Sequence, residues 1–145
     1  MKKFLFVAVI LSFQILSAQK KQIGSSIVVQ LNGIKAPTGQ VLLSLFKSSD
    51  GFPTHPEKAF RWKRAKVTSS SLIISLDGLP LGTYAIAVVH DENSNEMMDR
   101  DWLGLPDEQY GISNNATGTI NPPSFEEAKF TVTGKRDTIK IEMLP

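Results

Sequence analysis

Residues 84–89 read YAIAVV, a run that is apolar at every position. Successive side chains of a β-strand point to opposite faces, so a strand with this run has two apolar faces. A strand in an antiparallel sandwich normally leaves one of its faces to water. The run therefore predicts a central strand whose outer face is covered by another part of the chain. The long segment that follows it is the expected cover.

The segments on either side of this run alternate between apolar and polar residues, as half-buried strands do. Turns with Gly, Pro or Asp separate them, and we interpret Asp77-Gly78 as a strand breaker. No segment has a convincing helical face, although 56–59 and 97–102 could each form one turn. We predict an all-β fold, a single antiparallel β-sandwich (immunoglobulin-like or prealbumin-like) of about seven strands with one long ordered loop. The alternating strands are residues 27–32, 41–46, 72–76, 129–133 and 139–143.

Residues 58–66, KAFRWKRAK, place five basic residues around two aromatic ones. Charged side chains on an edge strand discourage pairing with other molecules, so we expect this segment to form an edge of a sheet. A second interpretation is a contact with an anion or a polysaccharide.

The first 18 residues have the three regions of a secretory signal peptide: Lys2 and Lys3, an apolar run from Phe4 to Leu16, and a small-residue cleavage site before Gln19. The apolar run is shorter than the roughly 20 residues of a membrane-spanning helix. We therefore expect an exported bacterial protein, periplasmic or extracellular, with one β-sandwich domain at 19–145 and no membrane span in the mature chain.

The charge balance of that mature domain is neutral. The 16 basic residues of the chain include Lys2 and Lys3, so 14 remain against 14 acidic residues. A neutral domain has no field that favours nucleic acid, and we expect no such partner. The chain contains no cysteine, so an exported domain must be stable without disulfides.

The segment 90–125 follows the central strand and shows neither strand nor helix periodicity. Loops longer than about 12–15 residues are uncommon in compact domains unless they are functional or disordered. This one contains too many aromatic and aliphatic residues for a disordered segment. We expect it to be ordered and to carry the functional site.

Side-chain oxygens recur within this loop at the spacing of a calcium-binding loop. Asp91, Asn93, Asn95 and Asp99 occupy positions 1, 3, 5 and 9, and the carbonyl of Met97 could serve at position 7. Two positions depart from the pattern: Glu96 replaces the usual glycine at position 6, and Trp102 replaces the bidentate glutamate at position 12. The sequence predicts weak calcium binding, and the alternative is a loop in which Asp and Asn bond their own backbone.

Five other residues are candidates for contact with a ligand of unknown identity, either a carbohydrate or a protein: His90, Trp102, Tyr110, Asn114 and Asn115. The aromatic rings of Trp102, Tyr110 and Phe125 could stack against sugars. The alternative is that they pin the loop to the sheet beneath it.

An enzymatic site has less support. His90 and Asp91 are neighbours on a strand, so their side chains should point to opposite faces and form no catalytic dyad. The sequence shows no nucleophile motif and no pair of carboxylates in an apolar setting. The leading interpretation is a non-enzymatic binding or accessory module. The alternatives are a metal-dependent enzyme or hydrolase at His90 and Asp91, and a purely structural or assembly domain.

Seven short motifs occur along the chain: GQV at 39–41, GFP at 51–53, LPLGTYA at 79–85, HDEN at 90–93, LGLP at 103–106, YGISNNA at 110–116 and PPSFEEA at 122–128. In these motifs and their order, the chain resembles, from about Ser25 to Met143, a family of bacterial exported proteins of unknown function, domain of unknown function 2141. The resemblance implies glycines in the acidic loop, where this chain has Ser94 and Glu96. It implies an exported β-sandwich and no particular activity.

Overall fold

The computed structural model describes residues 24–145, which form two packed β-sheets. The expected signal peptide at residues 1–18 lies outside these residues. Within 24–145, no helix has the length and apolar character needed to cross a membrane. The strands are β1 (Ser25–Asn32), β2 (Gln40–Phe46), β3 (Arg61–Lys66), β4 (Ser71–Leu79), β5 (Gly82–Asp91), β6 (Tyr110–Ile112), β7 (Phe130–Val132) and β8 (Asp137–Glu142), with one short helix, α1 (Phe125–Ala128), and 3-10 turns at Pro56–Lys58 and Ser113–Asn115.

One sheet has the strand order β4-β1-β8, and the other has the order β3-β2-β5-β6. β7 pairs with the first residues of β5, on the same edge that β6 uses further along. The prediction of an all-β sandwich is confirmed. The expectation that all pairing is antiparallel is wrong for one pair, because β8 runs parallel to β1. Alternation predicts a strand but not its direction. After β7, which pairs with β5, the chain crosses to the other sheet, and this crossing places β8 parallel to β1.

The main core lies between the two sheets and is built from the alternating residues that the sequence predicts. Ile27, Val29 and Leu31 of β1 are buried, as are Val41, Leu43 and Leu45 of β2. β5 contributes Tyr84, Ile86 and Val88 to the same core, and the Tyr84 hydroxyl donates a hydrogen bond to the Pro80 carbonyl at 2.8 Å.

The outer face of β5 is covered as well, so the prediction for residues 84–89 is confirmed. Ala85 and Ala87 lie under a second apolar cluster that contains Phe46, Ile112 and Phe125. The ring of Phe52 meets those of Phe46 and Phe125 edge to face, with centroids 5.4 and 5.9 Å away. Part of this cover comes from the 90–125 segment, and part comes from residues 46–59 and α1.

Two local expectations were wrong. β4 continues through Asp77-Gly78 to Leu79, because Gly78 adopts a positive φ of 69° and the register against β1 shifts there. The chain also contains a helix, α1, where we expected none. Its signal is Ser124-x-x-Glu127, a capping box in which each side chain bonds the backbone of the other residue. Residues 97–102 do not form the helical turn considered for them, whereas Pro56–Lys58 does form one.

The basic segment forms the edge strand that its charges predict. β3 pairs only with β2 among the described strands. Its side chains Arg61 and Lys63 donate to the carbonyls of Asp77 and Ser75 in β4. These basic side chains of β3 thus bridge the two sheets at one edge of the sandwich.

We expect amide hydrogen exchange to be slowest in residues 84–89 and faster in β3. β5 has a paired strand on each edge and is buried on both faces, so its amides should open only near the global unfolding free energy. Exchange followed by mass spectrometry or NMR measures this order directly. Faster exchange in 84–89 than in 61–66 would contradict the central position of β5.

Candidate functional site: a groove on the outer sheet face

An open groove with a volume of about 670 Å³ lies on the outer face of the five-stranded sheet. It begins where the second apolar cluster stops covering the strands. Leu42, Ser44, Ala87, Val89 and Tyr110 form its floor, from β2, β5 and β6. Its volume falls within the range of about 300–1,000 Å³ that is common for small-molecule sites.

Two loop segments form the walls of the groove, 96–106 on one side and 118–123 on the other. The walls are mostly apolar and include exposed side chains: Met97 is 64% exposed, Leu105 57% and Ile120 94%. Such exposure of large apolar side chains around one concavity is typical of a binding surface. Pro53 and Pro56 close one end.

A buried carboxylate holds the start of the first wall. Asp91, at the end of β5, is fully buried on the outer face and accepts hydrogen bonds on both oxygens. Gln40 donates its side-chain amide at 2.7 Å, and the backbone N–H groups of Asn95 and Glu96 donate at 3.0 and 2.9 Å. The carboxylate thereby folds residues 92–96 back onto the strand end.

These hydrogen bonds determine the ionisation of Asp91. Burial favours the neutral acid, but the Gln40 amide and the backbone N–H groups of Glu96, Asn95 and Ser94 together outweigh it and lower the pKa of the carboxyl. Asp91 is therefore an anion whose charge is already balanced by donors from its own loop.

The rest of the wall is held by carboxylates in the same way. Glu108 is buried and accepts from the backbone N–H groups of Glu92 and Asp99, at 3.0 and 3.1 Å, so it ties both ends of the segment together. Asp101 accepts from the N–H groups of Leu103 and Leu105, both at 2.9 Å. The loop is ordered by its own polar groups.

The structure brings the predicted metal ligands Asn93, Asn95 and Asp99 together through hydrogen bonds between their side chains. The amide nitrogens of Asn93 and Asn95 donate to the two oxygens of Asp99, at 2.6 and 2.9 Å. The Asn95 oxygen accepts from the N–H of Met97, whose side chain lines the groove. Asp91 joins this network through the Asn95 N–H.

This arrangement does not fit a calcium ion as it stands. Asn93 and Asn95 turn amide nitrogens, not oxygens, toward Asp99, and the oxygens of Asp91 face N–H donors. Within residues 24–145, no three His, Cys, Asp or Glu side chains are grouped as metal ligands. Calcium binding stays a prediction of the sequence. Its test compares the melting temperature in millimolar calcium with that in a chelator. An unchanged melting temperature would mean that the loop is held by hydrogen bonds and not by calcium.

Two residues of the acidic loop, Ser94 and Glu96, both adopt a left-handed backbone conformation. φ is 60° at Ser94 and 66° at Glu96. A left-handed backbone conformation is energetically unfavourable for a residue with a side chain, but not for glycine. The Glu96 side chain compensates in part, since it forms an ion pair with Arg64 of β3 at 2.7 Å.

His90 lies on the inner face of the sheet and does not line the groove. It is fully buried, and its Nε2 donates to the Thr38 carbonyl at 2.8 Å, while Asp91 faces the other side of β5. Its Nδ1 has no hydrogen-bond partner within the described chain, and the nearest carboxylate oxygen, on Glu92, is 3.7 Å away. The imidazole is therefore not among the side chains that a ligand in the groove would contact.

Asn114 and Asn115 connect elements of the fold. The Asn114 amide donates to the carbonyls of Glu127 and Lys129, and the Asn115 oxygen accepts from the N–H of Glu142 in β8. Both residues have a positive φ, which asparagine tolerates better than most residues.

The three aromatic residues considered for sugar stacking lie in three different environments. Tyr110 forms part of the groove floor, Phe125 is buried in the second apolar cluster, and Trp102 is 90% exposed outside the groove. Of the five predicted ligand contacts, only Tyr110 lines the groove. Sequence reasoning missed several lining residues, among them Leu42, Ser44, Arg100 and Ile120. The only signal was the number of apolar residues in a loop, since their shared location depends on the sheet order.

A family of proteins described as uncharacterized and conserved in bacteria, DUF2141, matches residues 29–140. The chain belongs to this family. No curated protein and no solved structure matches it. The resemblance stated from the sequence motifs is therefore confirmed.

The segment 110–116 has a structural role in this chain. Gly111 packs so closely against β8 that a Cβ atom would lie 2.6 Å from Cγ2 of Ile141. The buried Ser113 hydroxyl accepts from the N–H of Ile86 at 2.9 Å and donates to the Ala128 carbonyl at 2.6 Å. Together with Asn114 and Asn115, these residues connect the five-stranded sheet to α1 and to β8.

We expect Asp91→Asn to lower the free energy of unfolding by about 1–3 kcal/mol at neutral pH, since one of its donors would then face an NH₂ group. The folded pKa lies below the ordinary value of 3.8, so the contribution of the carboxylate is present above that value and is lost as pH falls through the folded pKa. The wild type should lose more stability on acidification than the variant. Denaturant unfolding over this pH range measures the difference.

The matched control is Asp101→Asn, which removes a carboxylate that bonds two N–H groups in a less buried setting. We expect it to cost less. Equal losses in the two variants, or parallel acid profiles for the wild type and Asp91→Asn, would contradict the role given to Asp91.

We expect Ser94→Gly to stabilise the fold by up to about 1 kcal/mol, because glycine adopts a positive φ without steric cost. Chemical denaturation compares it with Ser70→Gly, an exposed serine outside the positive-φ residues, where glycine should destabilise. If Ser94→Gly lowers stability as much as Ser70→Gly, the backbone at position 94 carries no strain.

Proposed function

We propose that this protein is an exported, non-enzymatic binding module whose site is the outer-face groove. The observation that carries the proposal is the open apolar concavity of about 670 Å³ between loop segments 96–106 and 118–123. Export rests on the signal-peptide pattern of residues 1–18. The groove uses the 90–125 segment, as the sequence leads one to expect.

The groove is supported as a preformed site by the way its walls are held. Asp91, Glu108 and Asp101 bond backbone N–H groups along the first wall, and the Arg64–Glu96 ion pair connects that wall to β3. A wall that is ordered before binding loses little conformational entropy when a ligand arrives. The floor belongs to three paired strands and is equally fixed.

The chemistry of the lining supports binding over catalysis. Within the described chain, Glu96 is the one carboxylate that lines the groove, and it is paired with Arg64. General acid–base catalysis requires a titratable group within hydrogen-bond reach of the reacting atoms. His90 and Asp91, the residues of the enzymatic alternative, are buried on opposite sides of β5, outside the groove lining.

Binding of the neutral apolar dye Nile red tests the groove. We expect one dye per folded protein with enhanced fluorescence, and we expect Val89→Trp to remove this signal by filling the floor. Val28→Trp is the matched control, because Val28 is also a half-buried valine on an outer sheet face, but on the three-stranded sheet. Dye binding that Val89→Trp leaves unchanged, or the absence of dye binding to the folded wild type, would contradict the proposal.

A further inference from the structure

Two charged side chains line the groove, and only one of them is neutralised. Glu96 forms its ion pair with Arg64 at 2.7 Å. Arg100 donates through Nη1 to the Gly104 carbonyl at 2.9 Å, and within residues 24–145 no carboxylate lies within ion-pair distance of its guanidinium. Arg100 is therefore the one charged side chain of the lining that has no ion-pair partner among the described residues.

We infer that the groove binds a fatty acid, an unbranched aliphatic chain with one carboxylate, and that Arg100 binds the carboxylate. This inference rests on the proposed function, because it names the class of ligand for the same groove. Two features of the groove support it: an apolar lining and a single arginine, Arg100.

The lining fits an aliphatic chain. The floor contains two small side chains, Ala87 and Ser44, which are register partners in β5 and β2. Met97 and Met98 lie on the wall, and the flexible thioether side chain of methionine adapts to irregular apolar surfaces. A sugar would instead require many convergent polar groups, and Trp102, the best stacking residue nearby, lies outside the lining.

The cation fits a carboxylate. Guanidinium binds carboxylates through two parallel hydrogen bonds, which are stronger than neutral ones. Nη1 bonds the Gly104 carbonyl, which fixes the guanidinium beside the wall and leaves its other N–H groups as donors for a ligand. Because Arg100 is exposed, solvent screens its charge, and we expect a preference of about fivefold at most for an anionic head group over a neutral one.

Isothermal titration with three ten-carbon amphiphiles, each used below its micelle concentration, tests the inference on the folded protein. We expect decanoate to bind up to about fivefold more tightly than decanol, and decyltrimethylammonium to bind most weakly. Arg100→Gln should equalise decanoate and decanol without weakening decanol, while Arg100→Lys should keep part of the preference. Arg136→Gln, at an exposed arginine in the turn before β8, is the control and should change nothing.

Each contrary outcome is distinct. Equal binding of decanoate and decanol to the wild type, or a preference that survives Arg100→Gln, would overturn the inference and leave the groove as a binding site. Nile red binding without binding of decanoate would also overturn it, and displacement of the dye by an apolar acidic peptide in that case would indicate a protein segment as the ligand. Failure of Nile red to bind would instead contradict the proposed function itself.

Discussion

The burial of β5 on both faces is the constraint on which the rest of the structure depends. One face packs against the three-stranded sheet through Tyr84, Ile86 and Val88, and the other must be shielded by chain outside the sheets. Ala85 and Ala87 are small enough to let the rings of Phe46 and Phe125 approach the strand closely. The cover extends only part of the way along the strand. The groove is the remainder of that apolar face, and its floor begins at Ala87.

One polar residue, Ser113, connects the cover over β5 to the sheet, at the point between the β6 and β7 pairings. β7 pairs with β5 up to Tyr84, and β6 pairs with it from Ala87, so the N–H of Ile86 has no strand partner between them. The Ser113 hydroxyl accepts a hydrogen bond from that N–H and donates one to the carbonyl of Ala128, the last residue of α1. An unsatisfied buried N–H would cost about 1–3 kcal/mol, so this serine both completes the sheet and anchors the helix. Ser113 thus has a physical role in the fold without any ligand.

The sequence was a good guide where the physical signal is local. Alternation in β1 and β2, the two-sided run of β5 and the charges of β3 each follow from which face of a strand meets water, and each was confirmed. The direction of β8 depends on a crossing between sheets, and no local pattern records it. The groove depends on the same long-range order, since Leu42 and Ile120 are distant in the chain and meet only after the sheets and the 118–123 segment are in place. The helix α1 differs, because its capping box, Ser124 with Glu127, is a local signal that the sequence contains.

The acidic loop shows why a pattern of oxygens leaves two structures open. Carboxylate and amide oxygens can bind a cation, and they can equally accept hydrogen bonds from the N–H groups of a tight turn. The residue types are the same in both cases, so only the geometry of the loop distinguishes a metal site from a hydrogen-bonded turn. Here Asp91 and Glu108 are buried, and a buried carboxylate is tolerated only where donors replace the lost water. The loop supplies those donors from its own backbone, so its folding and the burial of these charges are mutually dependent. These hydrogen bonds also hold the wall of the groove in the conformation that the structure shows, so the groove has its shape without a bound ligand.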